Sequence, residues 1–301
     1  MDMDNGDRIK EPSTFQEQVD ILKERNLQIW DEQQAREILG RINYYRLSAY
    51  MLTYKVDNKF QDGISFGDIY DLYEFDKKLR NLIMGLLETI EVTFRTHIAY
   101  LIAHKYGATG YMNPENFITK KIHVELMDKL YLEIDRSDEL FIKHHKSKYK
   151  GIFPVWVAIE VVSFGLLSKI YSNLKNEDKL EIAITYYKIP YKYIRSWLHA
   201  LSTFRNICAH FGRVYNRTLT IKPMLHKKDL AKDIKNDTVF SLILIMGKLI
   251  KDDIEWGTFV TNLWALIDQY EKVDVELMGF PEKWEHLLRS IERQMPGSTP
   301  R

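Results

Sequence analysis

The stretch SFGDIYDLYEFDKKLRNLIMGLLETIEVTFRTHIAYLIAHKY, residues 65–106, decides the fold class. Its apolar side chains recur every three or four residues, which is the period of an α-helix. They are Ile69, Leu72, Phe75, Leu79, Leu82, Leu86, Ile90, Phe94, Ile98 and Leu101. Ser65 and Asp68 have the spacing of a capping box, and Gly107 supplies an end signal. The stretch therefore predicts one helix of about ten turns.

Helical periodicity continues on both sides of this stretch, while alternating runs typical of strands are scarce. Further helices are predicted at 31–39, 42–54, 122–147, 155–174, 177–187, 191–211, 237–252, 257–272 and 282–294. The sequence thus predicts an all-α protein. The predicted organisation is a loose N-terminal segment over 1–20, a single helical domain over 21–294 that includes connectors at 107–121 and 212–236, and a disordered tail over 295–301.

Composition excludes several classes of protein. The 301 residues carry 43 Lys+Arg and 42 Asp+Glu, a net charge of +1, which is unlike a uniformly basic nucleic-acid coat. The single cysteine, Cys208, can form neither an internal disulfide nor a cysteine-based zinc site. The histidines lack partners at metal-binding spacing, so no metal and no cofactor are predicted. We expect a cytoplasmic protein without a membrane span.

The charge is unevenly distributed along the chain. Residues 192–235 contain ten basic and two acidic residues, a net of +8, and residues 143–150 add +4. Such runs are often only solvated surfaces, but aromatic side chains are interleaved in the larger one, a mixture suited to phosphate contacts and base stacking. The predicted RNA-binding residues are Arg213, Arg217, Lys222, Lys227, Lys228, Lys146 and Lys148.

Within the larger basic segment, Arg205, Asn206 and His210 close a helical run, and Gly212 is the expected cap residue. On an ideal helix Asn206 and His210 share a face, whereas Arg205 points about 140° away from His210. An imidazole for proton transfer, a guanidinium for a phosphate and an amide to orient either are the groups that metal-independent RNA cleavage needs. The alternative is that these side chains only cap a helix.

Arg205-Asn206-Ile207-Cys208-Ala209-His210 resembles the R-N-x-x-A-H form of the HEPN superfamily signature. Four further blocks, in the same order, resemble the landmarks of the Abi family, the AbiD and AbiF type of abortive-infection protein. They are Asn43–Tyr50, Ile90–His97, Pro154–Trp156 with Ser163–Ser168, and Trp197–His199. The resemblance extends over about residues 20–270, and ordered blocks are more specific than one short motif.

This resemblance implies an HEPN-type helical bundle with extra N-terminal and C-terminal helices. It also implies an endoribonuclease that acts in bacterial anti-phage defence or as a toxin. Arg205 and His210 fall on the catalytic pair, and Asn206 on the polar position beside it. The implied partners are an RNA substrate and, for some members, a small structured regulatory RNA.

Two other features have both a structural and a functional interpretation. Glu91 and Arg95, spaced i, i+4, are predicted to support the site, although such a pair can also be a simple intrahelical ion pair. Tyr44, Tyr45 and Tyr50 could stack on bases, but aromatics at helical spacing more often belong to a core or an interface.

The motif occurs once, so one chain supplies one imidazole, whereas the cleavage is best served by a separate acid and base. We therefore expect a homodimer with a composite site. The alternative function is a non-catalytic helical RNA-binding or interaction module that uses the same residues only for binding.

Overall fold

The computed structural model describes residues 11–230 and 232–291, and the predicted tail 295–301 lies outside them. The all-α prediction is confirmed. The chain divides into two compact units: one extends to Lys77 and includes Gln269–Val273, and the other comprises Lys78–Asp268 and the chain from Asp274 onward. The single domain over 21–294 stays a prediction.

The first unit contains three helices and a small hairpin. The helices are α1 (Phe15–Glu24), α2 (Glu32–Arg41) and α3 (Tyr44–Met51), and a 3₁₀ turn follows at Leu52–Tyr54. Thr14 and Glu17 form a capping box at the start of α1, which packs against α2. The sequence analysis predicted a loose segment up to residue 20, but residues 15–20 belong to α1. The capping box and the burial of Val19 account for this difference.

A two-residue hairpin in this unit was not predicted. It pairs β1 (Lys55–Val56) with β2 (Lys59–Phe60) in antiparallel register. Asp57 and Asn58 both adopt positive φ, 47° and 64°, as a tight hairpin turn requires. The strands are too short for an alternating pattern to be visible in the sequence.

The tyrosine block in the first unit has mixed roles. Tyr50 is buried, and its hydroxyl donates to Asp76 Oδ2 over 2.7 Å. Tyr45 is 85% exposed. The block therefore contributes to the core at one position and to the surface at another.

The long helix α4 comprises Phe66–Tyr106, within one residue of its prediction. Its capping box is present: the Asp68 N–H donates to the Ser65 hydroxyl, and the Asp68 carboxylate accepts from the Ser65 N–H. Gly107, with φ 85°, ends it. The division between the two units falls within this helix, after Lys77.

The second unit contains the remaining helices. They are α5 (Lys120–Arg136), α6 (Leu140–Lys148), α7 (Val155–Ala158), α8 (Phe164–Asn173), α9 (Asn176–Ile182), α10 (Tyr191–Ala209), α11 (Lys227–Leu230), α12 (Val239–Leu249), α13 (Asp253–Gln269) and α14 (Trp284–Arg289). Short 3₁₀ turns lie at Gly110–Met112, Pro114–Asn116, Ile159–Val161 and Val275–Met278. Helix α10 packs against α8 and α12, and α5 packs against α8. Almost every residue of α12 is buried, which accounts for its unbroken apolar sequence.

Three predicted helices are interrupted. The helix predicted at 122–147 is two, α5 and α6, because Ser137 is extended and its hydroxyl accepts from the Glu139 N–H. The helix predicted at 155–174 breaks where Ser163 caps α8. The one predicted at 177–187 changes after α9 into a π-helical turn, Ala183–Tyr187.

Candidate active site

His210 lies at the C-terminal end of α10, in the second unit. It is the residue that ends the helix, with φ −92° and ψ 19°, and its N–H donates to the carbonyls of Asn206 and Cys208. The side chain is exposed, and its ring has no hydrogen-bond partner within residues 11–230 and 232–291. His210 therefore still makes the last i to i−4 hydrogen bond of α10, although its own dihedral angles are no longer helical.

The chain turns immediately after His210 in a Schellman motif. The Phe211 N–H donates to the Cys208 carbonyl over 3.0 Å, and the Gly212 N–H donates to the Ile207 carbonyl over 2.8 Å. These two bonds satisfy carbonyls that the end of a helix would otherwise leave without a partner. The turn thereby fixes the backbone on the C-terminal side of His210.

The left-handed residue of this turn is Phe211, with φ 58°, and not Gly212 as the sequence analysis expected. A left-handed backbone is costly for a residue with a Cβ and is a strain often found near functional sites. Gly212 is needed for another reason: a Cβ there would lie 2.9 Å from Ile207 Cγ2 and 3.0 Å from the Ile207 carbonyl oxygen. Phe211 is 66% exposed beside His210.

Arg205 lies one and a half turns before His210 and is oriented by a carboxylate from α4. Its Nε is 3.7 Å from Glu91 Oε2, and its side chain is 34% exposed while that of Glu91 is 8% exposed. The other oxygen of Glu91 accepts from an Arg95 nitrogen over 2.5 Å. Glu91 therefore joins two guanidinium groups, and the structure brings the predicted supporting pair to Arg205.

Arg95 also connects α4 to the segment between α7 and α8. It donates to the carbonyls of Glu160 and Val162, the latter over 2.8 Å. The Glu160 carboxylate lies 3.7 Å from the same guanidinium. Because Arg95 is held on several sides, Glu91 has a fixed partner, and this in turn limits the positions open to Arg205.

Arg80 is a residue of this region that the sequence analysis missed. It is 4% exposed, and its guanidinium donates to the Gly212 carbonyl over 3.4 Å. Arg80 and Glu91 are 11 residues apart, three helical turns, and so lie on one face of α4. The sequence signal that could have identified Arg80 is its position on the buried face of α4, three turns before Glu91.

A family model described as Abi-like protein matches residues 37–216, more than half of the chain. The chain belongs to the Abi-like family. No curated protein and no solved structure matches it. The Abi-like match contains Glu91, Arg95, Arg205 and His210, whereas the basic residues from Arg217 onward lie beyond it.

Some of the predicted RNA-binding residues of this Abi-like chain contact its own backbone or carboxylates. Arg217 Nε donates to the Arg213 carbonyl over 2.6 Å, next to the turn after His210. Lys222 pairs with Asp237 at 2.9 Å. These contacts leave Arg213 and Arg217 near the His210 end of α10, while Lys222 is engaged by an acid.

The other predicted RNA-binding lysines lie on two separate helices. Lys227 and Lys228 are exposed at the start of α11. Lys146, on α6, donates to the Ile134 carbonyl, and Lys148 lies over the Tyr149 ring with Nζ 5.3 Å from its centre. Within the described ranges, none of these four lysines makes a hydrogen bond or an ion pair with Arg205 or His210.

Metal-binding and membrane-spanning features are absent from the described residues. In the two ranges 11–230 and 232–291, no three His, Cys, Asp or Glu side chains cluster as ligands of a metal ion. No helix in those ranges is long and apolar enough to span a bilayer.

Proposed function

We propose that this Abi-like chain is a metal-independent endoribonuclease of the HEPN type, of the AbiD and AbiF kind, that acts in abortive-infection defence or as a toxin. One observation carries the proposal. An exposed imidazole, His210, ends the same helix on which the guanidinium of Arg205 is oriented by a buried carboxylate. A titratable ring beside a fixed, partly exposed cation is the combination that acid–base cleavage of a phosphodiester requires.

The proposed reaction is attack of a ribose 2′-oxygen on the adjacent phosphorus. The 2′-O–P bond forms and the P–O5′ bond breaks, which leaves a 2′,3′-cyclic phosphate and a 5′-hydroxyl. An imidazole takes the 2′-hydroxyl proton, and a protonated group supplies the proton for the leaving O5′. Arg205 neutralises the charge that develops on the phosphate oxygens, and the exposed amide of Asn206 orients the phosphate.

The reaction needs one proton acceptor and one proton donor, while each chain has one His210 in this motif. We therefore retain the homodimer as part of the proposal. A two-fold axis close to the end of α10 would bring a second imidazole and a second guanidinium to one scissile phosphate. The exposed Phe211 beside His210 supplies an aromatic surface there, either for the partner or for a base.

RNA binding by the basic residues is the second part of the proposal. Arg213 and Arg217 lie next to the turn after His210, and in this proposal they contact the phosphates that flank the cleaved bond. Lys227, Lys228, Lys146 and Lys148 would extend the contact to longer RNA, whereas Lys222 must first exchange its carboxylate partner for a phosphate.

The test is cleavage of labelled RNA in EDTA by His210→Ala and Arg205→Ala, with matched controls on the same helix. His199→Ala and Arg195→Ala remove exposed side chains of the same types from α10. General acid–base groups contribute about 10²–10⁴-fold, so His210→Ala should lower cleavage by that factor and the controls should not. Tight binding of RNA without cyclic-phosphate products from the unmodified protein would instead identify a binding module.

A further inference from the structure

A cavity of about 540 Å³ opens at the other end of α10 from His210. His226 lines it and stacks on Tyr193, with ring centres 4.2 Å apart. Tyr193 and His210 are 17 residues apart, which is about 25 Å along a helix. The cavity is therefore separate from the candidate active site.

The walls of the cavity are unusually rich in positive charge. Five lysines line it together with one acidic residue, Asp229. The lysines are Lys188, Lys228, Lys232, Lys248 and Lys251. Asp229 pairs with Lys248, and the other four have no acidic partner in the described parts of the chain.

These lysines do not form one charged face of a helix. Lys188 follows the π-helical turn after α9, Lys228 belongs to α11, and Lys251 follows α12. Folding therefore collects charges from distant parts of the sequence in one concave place, where Lys248 and Lys251 are half-buried and Lys188, Lys228 and Lys232 are exposed at its rim. Burial, and after it the charge of Lys188, lowers the pKa of Lys251.

Two further features are typical of a binding site. Lys188 has a left-handed backbone, φ 57°, although it is not glycine. His226 Nε2 is buried without a hydrogen-bond partner in the described chain, and burial, then Lys248, lowers the pKa of this histidine. An anion in the cavity would offset the repulsion between the lysines.

The remaining walls and the size of the cavity indicate the class of ligand. Ile189, Leu244 and Leu287 supply apolar wall, and Tyr187 lies under Lys251, whose Nζ is 5.0 Å from the ring centre. A volume of this order suits a small molecule. Four lysines without an acidic partner in the described parts of the chain, placed around one open cavity, suit several phosphate groups on one ligand.

We infer that this cavity binds a small ligand that carries two or more phosphate groups. A nucleoside triphosphate and an inorganic polyphosphate share this chemistry. Lys188, Lys228, Lys232 and Lys251 bind the phosphates, and the apolar wall receives a nucleoside when one is present. Lys228 also belongs to the RNA surface proposed above, but the cavity contains neither Arg205 nor His210, so its test requires no nuclease activity.

The test is isothermal titration calorimetry of the full chain with ATP, GTP, inorganic tripolyphosphate and orthophosphate in magnesium-free buffer. Lys251→Met removes the charge but keeps the aliphatic stem over Tyr187. Lys188→Asn removes a charge and supplies a residue that tolerates the left-handed backbone. Lys121→Met, on the exposed face of α5, is the matched control. Circular dichroism of each variant establishes that it is folded.

We expect tripolyphosphate, ATP and GTP to bind more tightly than orthophosphate. Lys251→Met and Lys188→Asn should each weaken binding about tenfold or more, because each removes a charge-assisted contact, and Lys121→Met should not. Tighter binding of ATP or GTP than of tripolyphosphate would show that the nucleoside takes part, and equal binding would show that the phosphates suffice. Absence of binding, or equal binding by all variants, would overturn the inference. Binding of a 12-nucleotide RNA but of none of these small ligands would also overturn it, in favour of an RNA groove.

Discussion

The role of Glu91 gives the sharpest test of how the candidate active site is built. Its carboxylate is 8% exposed and lies between two guanidinium groups, 2.5 Å from Arg95 and 3.7 Å from Arg205. At 3.7 Å and an effective dielectric constant of about 20, the attraction to Arg205 alone is about 4 kcal/mol before solvent screening. Because Arg205 is one-third exposed, we reduce this contribution to about 1–2 kcal/mol.

Glu91→Gln removes this charge while preserving the shape of the side chain. The amide oxygen can still accept one hydrogen bond, but Arg95 and Arg205 then face each other across a neutral group. Removing one partner of a fully buried pair costs about 3–5 kcal/mol, and with the retained acceptor we expect a loss of about 2–3 kcal/mol in the free energy of unfolding. Glu88→Gln, three residues earlier on the exposed face of α4, should change it by less than about 0.5 kcal/mol.

Two assays separate the stability and positioning effects. Urea unfolding followed by circular dichroism measures the first, and single-turnover cleavage of RNA by the folded variant measures the second. We expect cleavage by Glu91→Gln to fall about 10–100-fold, since Arg205 loses its orientation. In an Arg205→Ala background, Glu91→Gln should cause little further loss of cleavage, because Glu91 acts through Arg205. An unfolding midpoint equal to that of Glu88→Gln would refute the electrostatic reasoning, and a full additive loss in the double variant would refute the positioning role.

Three further predictions follow from individual residues. Phe211→Gly should raise the free energy of unfolding by about 1 kcal/mol in urea denaturation, because glycine adopts the left-handed backbone without strain, and a lower value would show that the Phe211 side chain contributes more than its backbone costs. Burial, followed by the charge of Lys251, lowers the pKa of His97 from 6.5 to about 4, so the stability from this neutral histidine is present above pH 6.5 and is lost as the pH falls towards 4. His97→Phe should reduce the loss of stability that thermal unfolding shows between pH 6.5 and pH 4. An unchanged loss would contradict the assignment of this pH dependence to His97. Charge reversal at Lys227 and Lys228 should make the negative slope of log affinity for single-stranded RNA against log salt shallower by about 1.4, and an unchanged slope would show that α11 does not contact the RNA.

The fold was largely predictable where local signals agree. In α4 the apolar period, the Ser65 capping box and Gly107 all indicate the same helix, and its bounds were predicted to within one residue. The break between α5 and α6 was not predicted, because it depends on a local side-chain bond of Ser137 that competes with the helix. The left-handed position after α10 was assigned to Gly212 by residue preference, whereas the hydrogen bonds of the turn place it at Phe211.

The residues of the candidate site could be selected from the sequence, but the contacts between them could not. The motif identifies Arg205 and His210 because they are close in sequence. The contact between Arg205 and Glu91 joins residues more than 100 positions apart, and no periodicity specifies it. The cationic cavity was even less accessible to sequence reasoning, since its lysines come from separate elements. The net charge of a sequence segment shows that it is rich in lysines, but it does not show which lysines lie together in the folded chain.

The turn after α10 also has a kinetic consequence. His210 donates the last i to i−4 hydrogen bond of α10, to the Asn206 carbonyl, and the chain beyond it is held by the amide bonds of Phe211 and Gly212. These two amides should exchange with solvent deuterium through local opening, faster than amides in the middle of the helix. Their protection factors then measure how often the turn that follows His210 opens. A change at the surface that altered those protection factors would alter the turn beside the candidate site without touching Arg205 or His210.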